Sequence, residues 1–348
     1  MLERFPVRRT ILIVLSLLIA YGVIAGTVAT LQTGRFTTAD WVSLFTAGVA
    51  RGSVYAIIAL GYTLVYGILF IINFAHGEVF MAGTFTAFFV AQALAGQGIL
   101  NEYPIPSLIL LFVVSSVVSM SVAVILERVA YRPLRGAPRL VPLITAIGAS
   151  LFLQYTFRGF YGAQVRAYPN IDILQGNIII AGFSVQKAQV LVTVGAVILW
   201  FSLFMVIERT KLGRAMRAVG EDREIAALMG INVDRTIVST FAIGGVLAGA
   251  AGILFVQLFN SVFFFMGFFP GIKAFTAAVL GGIGSITGAA VGGLVLGILE
   301  AVGPILFLTG FGIPSPNQLQ PIISFGILVL VLIFRPGGLF GAPDEERA

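Results

Sequence analysis

Long apolar runs, broken by short charged links, alternate along almost the whole chain. A helix that crosses a bilayer needs about 20 apolar residues. Runs of that order cover residues 10–31, 41–71, 79–94, 105–126, 140–157, 188–207, 237–258 and 319–334, and a Gly-rich stretch covers 271–303. Lipid offers open strands no hydrogen-bond partner, so every run is expected to be helical. The runs are too long and too uniformly apolar for the alternating strands of a membrane barrel. The pattern therefore predicts an all-α, polytopic integral membrane protein with about 8–10 transmembrane helices.

Composition sharpens that picture. Of 348 residues, 58% are hydrophobic and only 10% charged, against about 25% charged in a soluble domain. Such a chain cannot cover a water-facing surface, which excludes a soluble enzyme, a disordered scaffold and a nucleic-acid-binding domain. The net charge of +6 sits in links between apolar runs, where it reports orientation. Cys is absent and His76 is the single histidine, so disulfide, thiolate and paired-His metal chemistry are excluded, and no cofactor is expected. No phosphate-binding G-x-x-x-x-G-K-[ST] loop occurs, so an ATP-driven process would need another chain to hydrolyse the nucleotide.

Basic residues give the direction. Arg4, Arg8 and Arg9 precede the first run; Arg128, Arg132, Arg135 and Arg139 crowd the link after the fourth; Arg209, Lys211, Arg214, Arg217, Arg223 and Arg235 fill the link after the sixth. All three fall on one side if each run crosses once, and the positive-inside rule makes that side cytoplasmic. Residues 158–187 then lie outside. The charged C-terminus belongs inside, so 260–318 must cross an even number of times. Residues 271–284 make about 21 Å of helix, short of a core of about 30 Å. Two readings keep the parity: a re-entrant half-helix that turns at Gly281, Gly282 and Gly284 and returns through 287–303, or a tight hairpin of two tilted spans packed through Gly. The basic start and the small residues near Ala25-Gly26-Thr27 resemble a secretory signal, but the apolar run is long, which favours an uncleaved anchor.

The link at 208–235 carries the highest charge density. Within it, Glu224-Ile225-Ala226-Ala227-Leu228-Met229-Gly230-Ile231 reads as a short amphipathic helix. Glu221 and Asp222 suit its N-terminus, and Gly230 suits a left-handed stop. Such a helix docks into a groove on another protein; the alternative is a solvated charged loop.

A second polar group follows the second run, where Asn73, His76 and Glu78 flank Gly77. Ionisable residues at membrane depth are costly and often functional. In a helix, Asn73 and His76 share a face. If Gly77 breaks the helix, amides freed near Glu78 would receive a carboxylate. The alternative is a short cytoplasmic turn with Glu78 at the start of the next helix. Lys273 and Glu300 form a further candidate set, with Lys273 expected to mark the outer interface. A pathway is expected in which Asn73, His76, Gly77 and Glu78 face Gly281, Gly282 and Gly284 across a polar cavity.

The Glu-x-Ala-Ala-x-x-Gly pattern at 224–230 resembles the coupling loop of ABC importer permeases. Four further stretches resemble one branch of them, the branched-chain amino-acid permeases. These are Gly61-Tyr62-Thr63-Leu64-Val65-Tyr66-Gly67 with Ile72-Asn73-Phe74-Ala75-His76-Gly77-Glu78; Glu127-Arg128-Val129-Ala130-Tyr131-Arg132-Pro133-Leu134-Arg135; Gly271-Ile272-Lys273-Ala274-Phe275-Thr276-Ala277-Ala278-Val279-Leu280-Gly281-Gly282-Ile283-Gly284-Ser285; and Arg335-Pro336-Gly337-Gly338-Leu339-Phe340-Gly341. The resemblance divides the chain into an N-terminal extension with the first span (1–40), a permease domain with its coupling loop (41–341 and 208–235) and a charged tail (342–348).

What the resemblance implies is a non-enzymatic transport subunit in a bacterial-type inner membrane, moving leucine, isoleucine or valine. Its expected partners are a second homologous permease subunit, two cytosolic ATP-binding subunits and an extracytoplasmic substrate-binding protein. Urea or short amides are the alternative cargo. An ion-coupled secondary transporter is the alternative class, against which the charged coupling loop and the scarcity of buried acids speak.

Overall fold

The computed structural model describes residues 6–138, 140–335 and 337–340. Arg4, Arg139, Pro336, Gly341 and the tail 342–348 lie outside them, as do the side chains of Arg8 and Arg9. In chain order the helices are α1 (Pro6–Gln32), α2 (Thr38–Leu69), α3 (His76–Gly96), α4 (Ile99–Glu102), α5 (Pro104–Leu126), α6 (Leu140–Tyr161), α7 (Lys187–Arg209), α8 (Lys211–Glu221), α9 (Arg223–Leu228), α10 (Val233–Phe259), α11 (Phe268–Gly281), α12 (Ile286–Leu308) and α13 (Gln320–Phe334). The strands are two short antiparallel pairs: β1 (Arg166–Ala167) with β4 (Ser261–Val262), and β2 (Asn177–Ile180) with β3 (Phe183–Gln186). Among the described residues, nine helices are long and apolar enough to cross a membrane, and α11 is a shorter apolar helix.

Local chemistry sets several helix starts. Thr37 and Asp40 form a capping box at the head of α2: the Thr37 hydroxyl accepts from the Asp40 amide at 3.3 Å, and the Asp40 carboxylate accepts from the Thr37 amide at 2.7 Å. Asn232 caps α10 by accepting from the Arg235 amide at 2.8 Å, and Ser285 caps α12 by accepting from the Gly288 amide at 3.0 Å.

Buried α2 and α10 form the centre, and α3, α5, α11 and α12 pack round them. Small residues govern the approach. A Cβ at Gly293 would sit inside the Ala56 backbone, and one at Gly297 inside Gly52. The α2–α12 seam is therefore backbone on backbone, the dense contact that holds helices together where lipid supplies no hydrophobic drive.

The molecule has two distinct ends. One carries β1–β4, the β2–β3 hairpin and α4. The other carries α8, α9, a π-helical turn at Glu127–Tyr131 and the turn between α11 and α12. Arg135 joins the second and third basic clusters there, pairing with both Glu127 and Asp234. The two links predicted to share a side do share an end.

In the Gly-rich stretch a short helix, α11 of 14 residues, is followed by a turn and by the long helix α12, so it is not a pair of full spans. The α11–α12 turn is not suspended at mid-depth. Gly282 abuts Gly338, and Gly284 shares a cavity with Gly67, Ile68 and Arg217 at the charged-loop end. The Leu339 and Phe340 amides donate to the carbonyls of Leu280 and Gly281 at 2.8 and 3.0 Å, so the segment after α13 caps the end of α11.

Candidate functional site

At the charged-loop end, α8 and α9 form a rigid mount. Asp222 is the α9 N-cap, accepting from the amides of Glu224 and Ile225 at 2.8 and 2.9 Å. The helix stops at Gly230, whose φ is +82°. The Gly230 amide donates to Ala227 and the Ile231 amide to Ala226, both at 3.0 Å, the paired bonds of a Schellman stop. Arg223 reaches from α9 to the Ile68 carbonyl at 2.9 Å. Burial, and then the charge of Arg135, lower its pKa from the ordinary value. The mount is thereby fixed to the last turn of α2.

The faces of α9 differ from the sequence reading in one respect. Ala226 is buried within the chain, while Glu224, Ile225, Ala227, Leu228, Met229 and Gly230 are exposed together with Glu221 and Asp222. Leu228 and Met229 are 86% and 78% exposed at the charged end, away from any lipid-facing stripe. Ala226 is the residue of this helix that packs within the chain, and Ala227 beside it is exposed.

The second candidate group lies where helices break. Phe70, with φ +54°, ends α2 in the left-handed region, and residues 70–75 run without helical structure before α3 starts at His76. This start is inside the bundle: His76 meets Gly61, eight residues before the end of α2, about 12 Å up the helix at 1.5 Å per residue. The chain re-enters the bundle before α3 begins. On the far side of Gly77 sit Gly267 and Gly271, where α11 begins. Neither α3 nor α11 has a side-chain N-cap.

Each polar residue of this group has its own surroundings. Asn73 Oδ1 accepts from the Tyr131 hydroxyl at 2.7 Å. The His76 ring lies in the space left by Gly61 and Gly244, edge-on to Tyr62 at 5.0 Å, and its Nε2 has no hydrogen bond among the described residues. Glu78 Oε1 accepts from Gln154 Nε2 at 2.7 Å and from Ser150 Oγ at 3.3 Å. The three do not share a face. Three of the amides expected to be free are engaged: His76 donates to the Asn73 carbonyl, and Glu78 and Val79 donate to that of Ala75.

The expected juxtaposition across a polar cavity is not what the structure shows. Asn73, His76, Gly77 and Glu78 lie beside the start of α11, and Gly281, Gly282 and Gly284 lie at its other end. Gly281 is closed in by Gly288 and Gly292 of its own hairpin. A cleft of about 400 Å3 adjoins the first group, and its wall is mostly apolar: Tyr62, Phe74, Leu151, Ile272, Phe275 and Leu328, with Ser150 and Gly271. Tyr62, Phe74, Gly271 and Phe275 lie within stretches singled out in the sequence, but aromatic residues in an apolar run give no sign of which face a cavity.

Lys273 does not mark an interface. It pairs with Glu300, which is 1% exposed and also accepts from the Tyr55 hydroxyl at 2.7 Å and the Ser324 hydroxyl at 3.3 Å. Four helices, α2, α11, α12 and α13, thus meet at one ion pair. Tyr55 lies 14 residues before the end of α2, about 21 Å into the bundle.

Comparison with known proteins adds the following. The family described as "Branched-chain amino acid transport system / permease component" matches residues 44–332. The high-affinity branched-chain amino acid transport system permease protein BraD of Pseudomonas aeruginosa is 44% identical over 305 residues, 86% of this chain and 95% of that protein. Its counterpart LivH of Escherichia coli is 42% identical over 307 residues, with the same two shares. The fructose import permease protein FrcC of Rhizobium meliloti is 30% identical over 210 residues, 56% of this chain and 54% of that protein. No solved structure matches the chain.

Proposed function

The chain belongs to the branched-chain amino acid transport system permease family, and from that premise we propose how it works as the membrane subunit of an ABC importer. It is a transport component and not an enzyme. The cargo is leucine, isoleucine or valine, delivered by an extracytoplasmic binding protein. A second homologous permease completes the pathway, and two ATP-binding subunits drive it from the cytoplasm of a bacterial-type inner membrane. The positive-inside rule supports a cytoplasmic position for 208–235 and the C-terminus. Residues 1–40 form an extension outside the shared permease domain.

One observation carries the coupling role. The α9 edge presents Ile225, Leu228 and Met229 beside Glu224 to solvent, on a mount that Arg223 ties to α2. An exposed apolar edge on a short, doubly capped helix is suited to docking in a groove on another protein. Glu221, Asp222, Glu224, Ala227 and Gly230 shape the docking element, and Ala226 seats it. Closure of the ATPase pair would push this mount, and the push would reach α2 directly.

We read Asn73, His76, Gly77 and Glu78 as one station of the pathway, near the helix breaks, and Gly281, Gly282 and Gly284 as another at the charged-loop end. Reconstitution in proteoliposomes tests the reading. With ATPase subunits, partner permease and binding protein, leucine uptake should require ATP. Uptake driven by an ion gradient without ATPase subunits would overturn it.

A further inference from the structure

A cavity of about 320 Å3 lies at the charged-loop end, where α2, α7, α8 and the start of α12 meet. Part of its wall is apolar, from Leu64, Ile68, Phe204, Ile207 and Met216. The rest is polar. Arg217 of α8 lines it, donating to the Ile207 carbonyl at 2.7 Å and standing 3.3 Å from the carboxylate of Glu208, which lines it too. Both contacts use Nη1, so Nη2 and Nε keep their donors for another group. Ser285, Ile286 and Thr287 bring the start of α12 to the same cavity. The Gly288 and Ala289 amides donate to the Ser285 hydroxyl and carbonyl at 3.0 and 2.9 Å, while those of Ile286 and Thr287 have no partner among the described residues. Such first amides carry the positive end of the helix dipole. The most buried residue of the wall is Thr63, 2% exposed, and its hydroxyl has no hydrogen bond among the described residues. A buried polar group left unpaired is costly and calls for an explanation.

A guanidinium and two free helix amides together suit a phosphate. Glu208 beside them would repel a simple anion, whereas a phosphate that carries an ammonium group satisfies both signs. The apolar wall continues along the membrane span. Val197, Phe201 and Phe204 share a face of α7, and the first two are more than half exposed, where the bilayer covers them. Glu208 follows Phe204 by one turn. A molecule laid along this face therefore has its polar head at the charged-loop end and its tail against α7. We propose that the cavity holds the phosphoethanolamine headgroup of a membrane lipid. Its phosphate meets Arg217 and the start of α12, its ammonium group meets Glu208, and an acyl chain leaves past Phe204 and Phe201. The volume of about 320 Å3 lies at the low end of small-molecule sites, roughly 300–1,000 Å3, which admits a headgroup and leaves the chains in the bilayer. Seated there, the lipid joins α8 of the rigid mount to the start of α12, so bilayer composition bears on how firmly the mount is held.

The test uses the full chain in its assembled complex, stripped of lipid and then mixed with equal amounts of phosphatidylethanolamine, phosphatidylglycerol and phosphatidylcholine. Native mass spectrometry reads the bound lipid. Phosphatidylethanolamine should be retained in preference to the other two. Arg217→Gln should lower its retention by about tenfold or more, the scale of a lost hydrogen bond to a charged group. Glu208→Gln should abolish the preference over phosphatidylglycerol. Ile286→Pro removes one of the free amides at the first helical position, where proline is favoured. Ser285 before it is already extended, at φ −95° and ψ 115°, as a residue preceding proline must be. Retention should therefore fall in Ile286→Pro while the complex stays folded. Arg214 is exposed on α8 and off the cavity, so Arg214→Gln should match wild type. Equal retention of all three lipids, or an equal loss in Arg214→Gln, would reduce the binding to general surface attraction and overturn the proposal. Displacement of the lipid by soluble glycerophosphoethanolamine at equal concentration would make a free headgroup the ligand and overturn the lipid as its source. Displacement by leucine would make the cavity part of the cargo path and overturn it equally.

Discussion

Replacing Lys273 or Glu300 singly should damage the fold more than replacing both. Lys273→Met leaves the Glu300 carboxylate at membrane depth, still holding the Tyr55 and Ser324 hydroxyls. Glu300→Gln leaves the Lys273 ammonium with no counter-charge, only neutral acceptors, the Gln carbonyl and the Tyr55 hydroxyl at 3.4 Å. Breaking a buried pair by removing one partner costs about 3–5 kcal/mol, and neutralising both partners costs much less. The lysine single should therefore lie near about 3 kcal/mol and the glutamate single near the upper end of that range. In Lys273→Met/Glu300→Gln no charge remains, and the Gln carbonyl still accepts from Tyr55. The double variant should fall below either single, far outside the ~0.5 kcal/mol within which independent sites add. Denaturant or thermal unfolding of all four proteins in one detergent gives the cycle. Additive destabilisation would show that the pair does not act as a unit and would remove it as the anchor of α11.

Three other substitutions probe separate joints. Gly230→Ala forces a Cβ into a left-handed position at a cost of about 1–2 kcal/mol; it should loosen the α9 stop and lower uptake per ATP hydrolysed in the reconstituted complex, whereas Gly230→Asn should retain more coupling. Gly338→Val, at φ +73° with the Gly282 amide and Val279 carbonyl against its Cβ, should lift the 337–340 cap off α11, visible as a lower melting temperature and faster proteolysis after Phe334. Gly297→Leu should wedge α2 from α12, where no space exists for a side chain, and abolish accumulation of folded protein in the membrane; normal expression and melting would disprove the backbone seam.

Much of the fold was legible because the bilayer imposes one rule everywhere: backbone groups must pair within the segment. Apolar length then finds the helices, while the structure shows that three of them start at the caps Thr37, Asn232 and Ser285, which apolar length does not mark. Charge found the common end of the two basic links. What apolarity could not mark is that the chain re-enters the bundle after the end of α2, so that His76 meets Gly61. Residues 41–71 read as one span, and α2 ends two residues earlier, at Leu69, where Phe70 takes the left-handed region although it has no intrinsic preference for it. That turn is held by what surrounds it, with Arg223 bonding the neighbouring Ile68 carbonyl from 155 positions away. The short helix α9 was the most legible element of the charged link because its signals are local: an acidic cap, a short amphipathic run and a glycine stop within ten residues.

The polar residues at membrane depth were legible as exceptional but not in their roles. The cost of burying Asn73, His76, Glu78, Lys273 or Glu300 does not depend on whether the group that repays it belongs to the protein or to a passing solute. Sequence shows the cost and not the partner. In the fold, Tyr131 meets Asn73, and Glu300 meets Lys273, Tyr55 and Ser324. These groups are occupied by structure. Glu78 differs, because its partners Ser150 and Gln154 engage one oxygen and leave the other. The structure thus separates an acid with both oxygens paired from an acid that keeps one oxygen unpaired among the described residues. Lys273–Glu300 closes its own account within the chain, whereas Glu78 retains capacity beside the start of α11. Substitution should separate them accordingly: Glu300→Gln acts on unfolding, and Ser150→Ala, which removes one donor to Glu78, acts on uptake with little change in melting temperature. An equal loss of stability in both would place Glu78 with the structural acids.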